Sequence, residues 1–288
     1  MNAPLDSHVI VPKGSAAEPW RARLQLGFER RGDRTALVER SHIGPLRLQK
    51  ALYPEGEGIC HGIVLHPPAG IAGGDELSID VTVGAGAHAL LTTPGAGKWY
   101  RSAGAEGRLQ QRIEIAPGAL CEWMPQESIV FDRALARLET RIEMTGDAMF
   151  IGMEMVRFGR SASGERFTAG DFRSSIRISR DGRPVWLERS RIDGGGRLLE
   201  AGAGLAGWPV SGTLIAAMPV VDDEVLEAWR GVAPIEGDGA VTRLPGVLLA
   251  RFRGSSCEAG REWFVKLWSE IRPRVAGVPV TVPRIWNT

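Results

Sequence analysis

The sequence predicts a mainly β protein: stacked antiparallel or helical-like sheets with a few helices, the strongest near the C-terminus. Three observations carry that prediction. Apolar and polar residues alternate with period two along much of the chain. The 37 glycines and 18 prolines gather in long irregular blocks. Helical spacing of apolar residues appears only late. Alternating strand–helix–strand units are absent, which argues against a doubly wound sheet.

The elements follow in order. Residues 1–18 carry few large apolar side chains and read as a flexible N-terminal tail; residues 19–288 read as a single β-rich domain. Leu24, Leu26 and Phe28 alternate with Arg23, Gln25 and Gly27, and Arg31-Gly-Asp-Arg34 supplies a turn. Leu77, Ile79, Val81 and Val83 alternate with Ser78, Asp80 and Thr82. Leu138, Thr140, Ile142 and Met144 alternate with charged residues from Arg137 to Glu143. Such alternation fits a strand with one wet and one buried face. Arg180-Asp-Gly-Arg183 reads as a hairpin turn.

Asp222 to Arg230 reads as a short helix capped by Asp222 or Asp223. Ser255 to about Ile271 reads as a longer one, with Ser255 and Glu258 as a capping box. Its stripe is Phe264, Leu267, Trp268 and Ile271, and Pro273 is expected to stop it. Gly194-Gly-Gly196 and Ala201 to Gly207 read as a mobile loop. No internal repeat or interdomain linker stands out.

Composition excludes several classes. The 288 residues suit one large domain or two small ones. With 35 basic and 34 acidic residues, net charge is +1, so no global pull toward nucleic acid or membrane exists. Cys60, Cys121 and Cys257 are too few and scattered for a disulfide framework, which favours a reducing compartment. No run approaches the about 20 apolar residues of a membrane helix. A soluble, cytoplasmic protein is expected.

Common catalytic motifs fail on inspection. Gly202-Ala-Gly-Leu-Ala-Gly207 matches a dinucleotide fingerprint, but Trp208-Pro209 leaves no helix to receive a pyrophosphate. Gly95-Ala-Gly-Lys98 resembles a phosphate loop, yet Trp99 replaces the magnesium-binding hydroxyl. Gly159-Arg-Ser161-Ala-Ser163 lacks the last glycine of a nucleophile elbow, and Ser161 has no recognisable partners.

Two constellations remain. Cys60, His61 and His66 offer donors for zinc, nickel or copper, although their spacing fits no standard zinc signature. On an alternating strand Cys60 and His66 share a face and His61 takes the other. The second set is acidic: Asp75, Glu122, Glu127, Asp132, Glu154 and Glu165 lie beside glycines or aromatics. Glu154 sits in the apolar run Phe150-Ile-Gly-Met-Glu-Met-Val156, where a charge is costly unless paired; Arg157 or Arg160 is its expected partner. The alternative is a wet interior passage whose sparse carboxylates relay a divalent cation.

Three irregular blocks stand apart: Leu65 to Asp75, Leu91 to Ser102, and Glu122 to Asp132. They are too long and polar for plain connectors. Within them His66 to Asp75, Thr92 to Arg101 and Glu122 to Glu127, together with Gly44-Pro-Leu-Arg-Leu-Gln-Lys50, Leu52-Tyr-Pro-Glu-Gly56, Cys60-His61, Gly159-Arg160, Ser163-Gly-Glu165 and the ending Pro283-Arg-Ile-Trp286, are similar to the family of the urease accessory protein UreD, called UreH in some bacteria. The resemblance runs from about Gln25 to the C-terminus and is densest from Gly44 to Glu165. Ala69 stands where relatives often carry glycine, and Met124 where leucine is usual.

The resemblance implies a non-enzymatic chaperone with a β-rich fold. It implies binding to apo-urease and, with UreF and the GTPase UreG, assembly of the nickel metallocentre, UreE being a source of nickel. No tightly bound cofactor is implied; nickel would be in transit. A tunnel proposed for the family makes His66, Asp75, Glu122, Glu127 and Glu154 the expected residues of the passage. Trp263, Trp268 and Trp286 are expected to dock UreF. Two rivals remain open: a metal-dependent enzyme using Cys60, His61 and His66, and a structural adaptor that nickel never touches.

Overall fold

The period-two runs become rungs of a β-solenoid. The computed structural model describes residues 19–160 and 163–287. The tail expected at 1–18 and Ser161 lie outside the described residues.

A hairpin of β1 (Arg21–Arg31) and β2 (Arg34–Ile43) opens the chain, with the predicted turn at Gly32, followed by β3 (Arg47–Leu52). Three coils come next, each a strand, a corner strand and a second strand. They are β4 (Ile59–Leu65), β5 (Gly70–Ile71) and β6 (Glu76–Val83); β7 (His88–Thr92), β8 (Gly97–Trp99) and β9 (Gly107–Ile115); and β10 (Leu120–Met124), β11 (Ser128–Val130) and β12 (Leu135–Met144). The long strand β13 (Met149–Phe158) and β14 (Asp171–Arg180) complete the winding.

Within the coils every pairing is parallel. One sheet runs β1-β6-β9-β12-β14 and the opposing one β4-β7-β10-β13, from which the corner ladder β5-β8-β11 branches where β11 pairs with β13. Parallel pairing needs no crossover helix here, because each return passes through the opposite sheet. The inner faces build one core, including Leu24, Val81, Ile113, Ile142 and Ile178. At the corner Ile71, Trp99, Val130 and Phe158 stack in register, all buried.

A repeat is present after all. The turns Gly84–Ala87, Ala116–Ala119 and Thr145–Ala148 each close with the fourth residue's N–H donating to the first carbonyl. Each ends in a buried alanine: Ala87, Ala119 and Ala148. Gly86 and Gly118 adopt φ of 66° and 68° in the left-handed region, which suits type II turns. The period is roughly 30 residues, within the range of solenoids. It escapes detection because the corner blocks between turns differ in length and composition.

Antiparallel strands close both ends. β15 (Arg183–Asp193) pairs with β14 across the predicted Arg180–Arg183 turn. After helix α1 (Arg197–Glu200), β16 (Val210–Ala217) returns beside β13. Helix α2 (Asp223–Arg230) follows, with Asp222 as its cap: the carboxylate accepts from Val225 N at 2.8 Å. β17 (Asp238–Leu244) and β18 (Val247–Gly254) extend the sheet. The expected mobile loop is tethered, since Arg253 donates to the carbonyls of Gly202 and Gly204 at 2.7 and 2.8 Å.

Helix α3 (Cys257–Ala276) differs from expectation at both ends. Ser256, not Ser255, caps it, accepting from Ala259 N at 3.2 Å. The helix runs on past Pro273 and stops at left-handed Gly277, whose N–H donates to Pro273 O. Its apolar face packs Trp263, Phe264, Leu267, Trp268 and Ile271 on the outer side of the β4-β7-β10-β13 sheet, forming a second core. Each such side chain contributes about 1.5–3 kcal/mol on burial. No described helix is long and apolar enough to cross a membrane.

Candidate functional site

The three irregular blocks stack on one another. Each leaves a strand of the β4-β7-β10 sheet, makes the corner strand and enters the opposing sheet, so parallel register puts equivalent positions together. Gly70 pairs with Lys98, and Gly97 with Ser128. Beneath these corners, between the two large sheets, lies a cavity of about 230 Å³.

His66, Lys98, Gln111, Thr140, Glu154 and Thr213 supply polar groups to its largely apolar wall. A second cavity, of about 480 Å³, is lined by Ser174, Glu188, Ser190 and Arg251. Glu154 and Thr213 line both, so the two cavities are adjacent at these side chains.

Glu154 points inward because it shares a strand face with Phe150 and Val156, both in the core between the sheets. Its residual exposure is to the cavities. The expected partners are engaged elsewhere: Arg157 donates to Ser255 O at 2.8 Å, and Arg160 forks onto Glu165 at 2.8 and 3.0 Å. Burial therefore pushes the Glu154 carboxyl up to about 7, with the charge of Glu188 adding to the effect. His66 is depressed by burial, partly offset by Asp75. The buried atoms His66 Nε2, Gln126 Nε2 and Glu188 Oε2 have no protein partner, and all three residues line these cavities.

Of the acidic set, the expected passage residues Asp75 and Glu127, and also Asp132, are tied to the protein. Asp75 accepts from Trp20 N and Ala72 N, both at 2.8 Å, and so staples the start of β1 to the first corner. Glu127 pairs with Arg261 of α3 at 2.9 Å. Asp132 accepts from Thr168 N and Ala169 N at 2.6 and 3.0 Å.

Glu122 points to the opposite side of its sheet, under α3, and is fully buried. It receives His88 Nε2 at 2.6 Å, Trp268 Nε1 at 2.5 Å and Arg272 Nε at 3.1 Å. Arg272, also fully buried, forks onto Glu55 at 2.5 and 2.8 Å and donates to Pro279 O. Glu55 in turn receives His61 Nε2 at 2.5 Å. Burial alone would raise the Glu55 carboxyl, but His61 and Arg272 outweigh it and hold it at about 2.

Cys60, His61 and His66 do not converge. Cys60 lies in the core between the sheets, His61 under α3 with Glu55, and His66 at the cavity. Among the described residues no group of three or more His, Cys, Asp or Glu could hold a metal ion. All three cysteines are free and buried.

The tryptophans expected to dock UreF face inward instead. Trp263 and Trp268 are core residues of the α3 interface, and Trp286 packs beside Trp268 and donates to Thr92 Oγ1 at 2.7 Å. Burying these rings holds the helix and the C-terminal segment to the sheet.

Sequence reasoning missed His88, Glu55, Arg272 and Glu188. Arg272 had a legible signal: it lies four residues after Trp268, on the same buried stripe. His88 had another, since it follows a turn that recurs twice with apolar successors.

Sequence comparison connects the whole described chain to one family. The profile described as UreD urease accessory protein matches residues 21–287. The urease accessory protein UreD of Azoarcus sp. (strain BH72) is 60% identical, covering 100% of both chains. That of Dechloromonas aromatica is 49% identical over 99% of this chain and all of the relative. That of Pseudomonas fluorescens is 46% identical, again covering 100% of both. With the matching corner blocks stacked in one solenoid, this chain belongs to the UreD family of urease accessory proteins.

Proposed function

We propose that this chain is a urease accessory chaperone that binds apo-urease together with UreF and UreG and guides nickel through its interior to the urease active site. The observation that carries the reading is the pair of adjacent cavities, sharing Glu154 and Thr213, with unpartnered His66 Nε2, Gln126 Nε2 and Glu188 Oε2 on their walls. Buried polar atoms without protein partners call for water or an ion.

His66 and Glu154 are the residues of the passage on this reading. Glu154 lines both cavities and titrates near neutrality, so it takes up a cation by releasing a proton and yields it again on reprotonation. Isolated donors spaced along a wall favour transit; storage needs a converged set. Asp75, Glu122 and Glu127 serve the frame, because each carboxylate is held by protein donors. The cargo is a substrate of the passage, and the chain performs no bond chemistry on it.

The test is urease activation in cells co-expressing urease with its other accessory proteins. Glu154→Ala and His66→Ala should each lower activation while the chain still co-purifies with UreF. Full activation by both variants would remove the passage and leave a structural adaptor. Loss of UreF binding together with activation would make the residues structural.

A further inference from the structure

The outer face of the β1-β6-β9-β12-β14 sheet carries rows of arginine, set by parallel register. One row is internally compensated. Arg108 and Arg137 both meet Glu106 at 2.9 Å, and Arg173 and Arg191 both meet Asp171, at 2.8 and 2.7 Å.

A second row, four residues further along β9, β12 and β14, is not. Arg112, Arg141 and Arg177 stand directly side by side on neighbouring strands and are exposed. The row begins at Asp80, but Arg23 claims that carboxylate at 2.9 Å. Among the described residues none of the three arginines forms an ion pair; Arg177 donates only to Ser179 Oγ, at 3.3 Å. Strands in a sheet lie about 4.8 Å apart, so three guanidinium groups are rooted within roughly 10 Å. Like charges placed opposite each other on adjacent strands are unfavourable.

The rows on either side are acidic or polar. Gln110, Glu139 and Ser175 flank one side, and Glu114 and Glu143, in register with the buried Ser179, the other. A uniform polyanion such as nucleic acid would meet Glu114, Glu139 and Glu143 as well as the arginines. A single row of carboxylates avoids them. On a helix, carboxylates at i, i+4 and i+7 lie about 5–6 Å apart along one face, close to the spacing of the arginine row.

We propose that this face docks a protein helix bearing one row of carboxylates, laid across β9, β12 and β14 onto Arg112, Arg141 and Arg177. The surface faces away from the cavities and does not depend on the nickel reading. Both partners are solvent-accessible beforehand, so the contact should be salt-sensitive and quick to form.

The test uses the full chain and two synthetic alanine-rich helices of about 20 residues, long enough to be helical in water. One carries its glutamates in a single row; the other carries as many, dispersed around the helix. Binding is read by fluorescence anisotropy at about 50 mM and about 300 mM salt. The row peptide should bind about tenfold tighter at low salt, and R112Q/R141Q/R177Q should abolish that preference. The circular dichroism and melting of the variant are measured alongside, and native-like behaviour is expected because all three side chains are exposed. Equal affinity for both peptides would overturn the proposal. So would displacement of the row peptide by an equal concentration of duplex DNA, which would mark an unselective polyanion surface. Unchanged preference in the folded triple variant would overturn it too.

Discussion

Arg272 and Glu122 meet with both side chains wholly withdrawn from solvent, Nε lying 3.1 Å from Oε1 across 150 residues of sequence. The contact joins the C-terminal helix to the third coil of the solenoid. Trp268 Nε1–H, His88 and Glu55 complete it, so neither charge is left bare.

Removing one side of that contact should be far worse than removing both. Arg272→Met leaves Glu55 and Glu122 buried without their cation, and should destabilise the fold by about 3–5 kcal/mol. Adding Glu122→Gln and Glu55→Gln should restore part of the loss. Urea denaturation of the single and triple variants checks this; a cost under about 1 kcal/mol for Arg272→Met would show that the network is relaxed by water.

The same network predicts acid lability. The folded pKa of Glu55 is depressed from 4.5 to about 2. Its contribution is therefore present above about pH 4.5 and is lost as pH falls toward about 2, up to ~3 kcal/mol in all. Melting curves across that window should show a steep decline in the native chain and a shallower one in Glu55→Gln.

Glu154 carries the opposite sign. Its folded pKa is raised to about 7, so it binds a proton in the folded state that the unfolded chain has already released. The penalty is absent below about pH 4.5, builds between there and about pH 7, and is constant above. Glu154→Gln should therefore stabilise the chain by about 2 kcal/mol near pH 8, allowing for water in the cavity, and change little near pH 5. On the proposed function the same variant lowers urease activation. A variant more stable and less active separates a working carboxylate from a structural one; one destabilised at alkaline pH would contradict the unpaired environment.

The α3 cap separates two adjacent serines. Ser256→Ala should cost about 1 kcal/mol through loss of the bond to Ala259 N, whereas Ser255→Ala should stay within about 0.5 kcal/mol. Equal losses would mean that the helix starts one residue earlier.

Much of the strand content was legible because one wet and one buried face impose alternation locally. The turns at Gly32 and Asp181-Gly182 and the Asp222 cap were legible for similar reasons, since each depends on one or two residues. The end of α3 was not: Pro273 marks a local break in the sequence pattern, but the helix continues past it to left-handed Gly277, whose N–H closes it on Pro273 O. The roles of the carboxylates were less legible still. Asp75, Glu122, Glu127 and Glu154 look alike in sequence, each beside glycine or an aromatic. Only Glu154 faces the two adjacent cavities; the others meet amides, arginines and an indole from remote segments.

By itself the sequence determined a β-rich chain, the corner blocks of the UreD family and the long amphipathic helix near the C-terminus, because periodicity, glycine and proline act over a few residues. Tertiary structure alone decided which acids are paired, that three distant corners stack over one cavity, and that arginines from three strands line up without an ion pair among the described residues. Those outcomes depend on parallel register between segments about 30 residues apart and on a helix folding back across the sheet, and no local pattern encodes either.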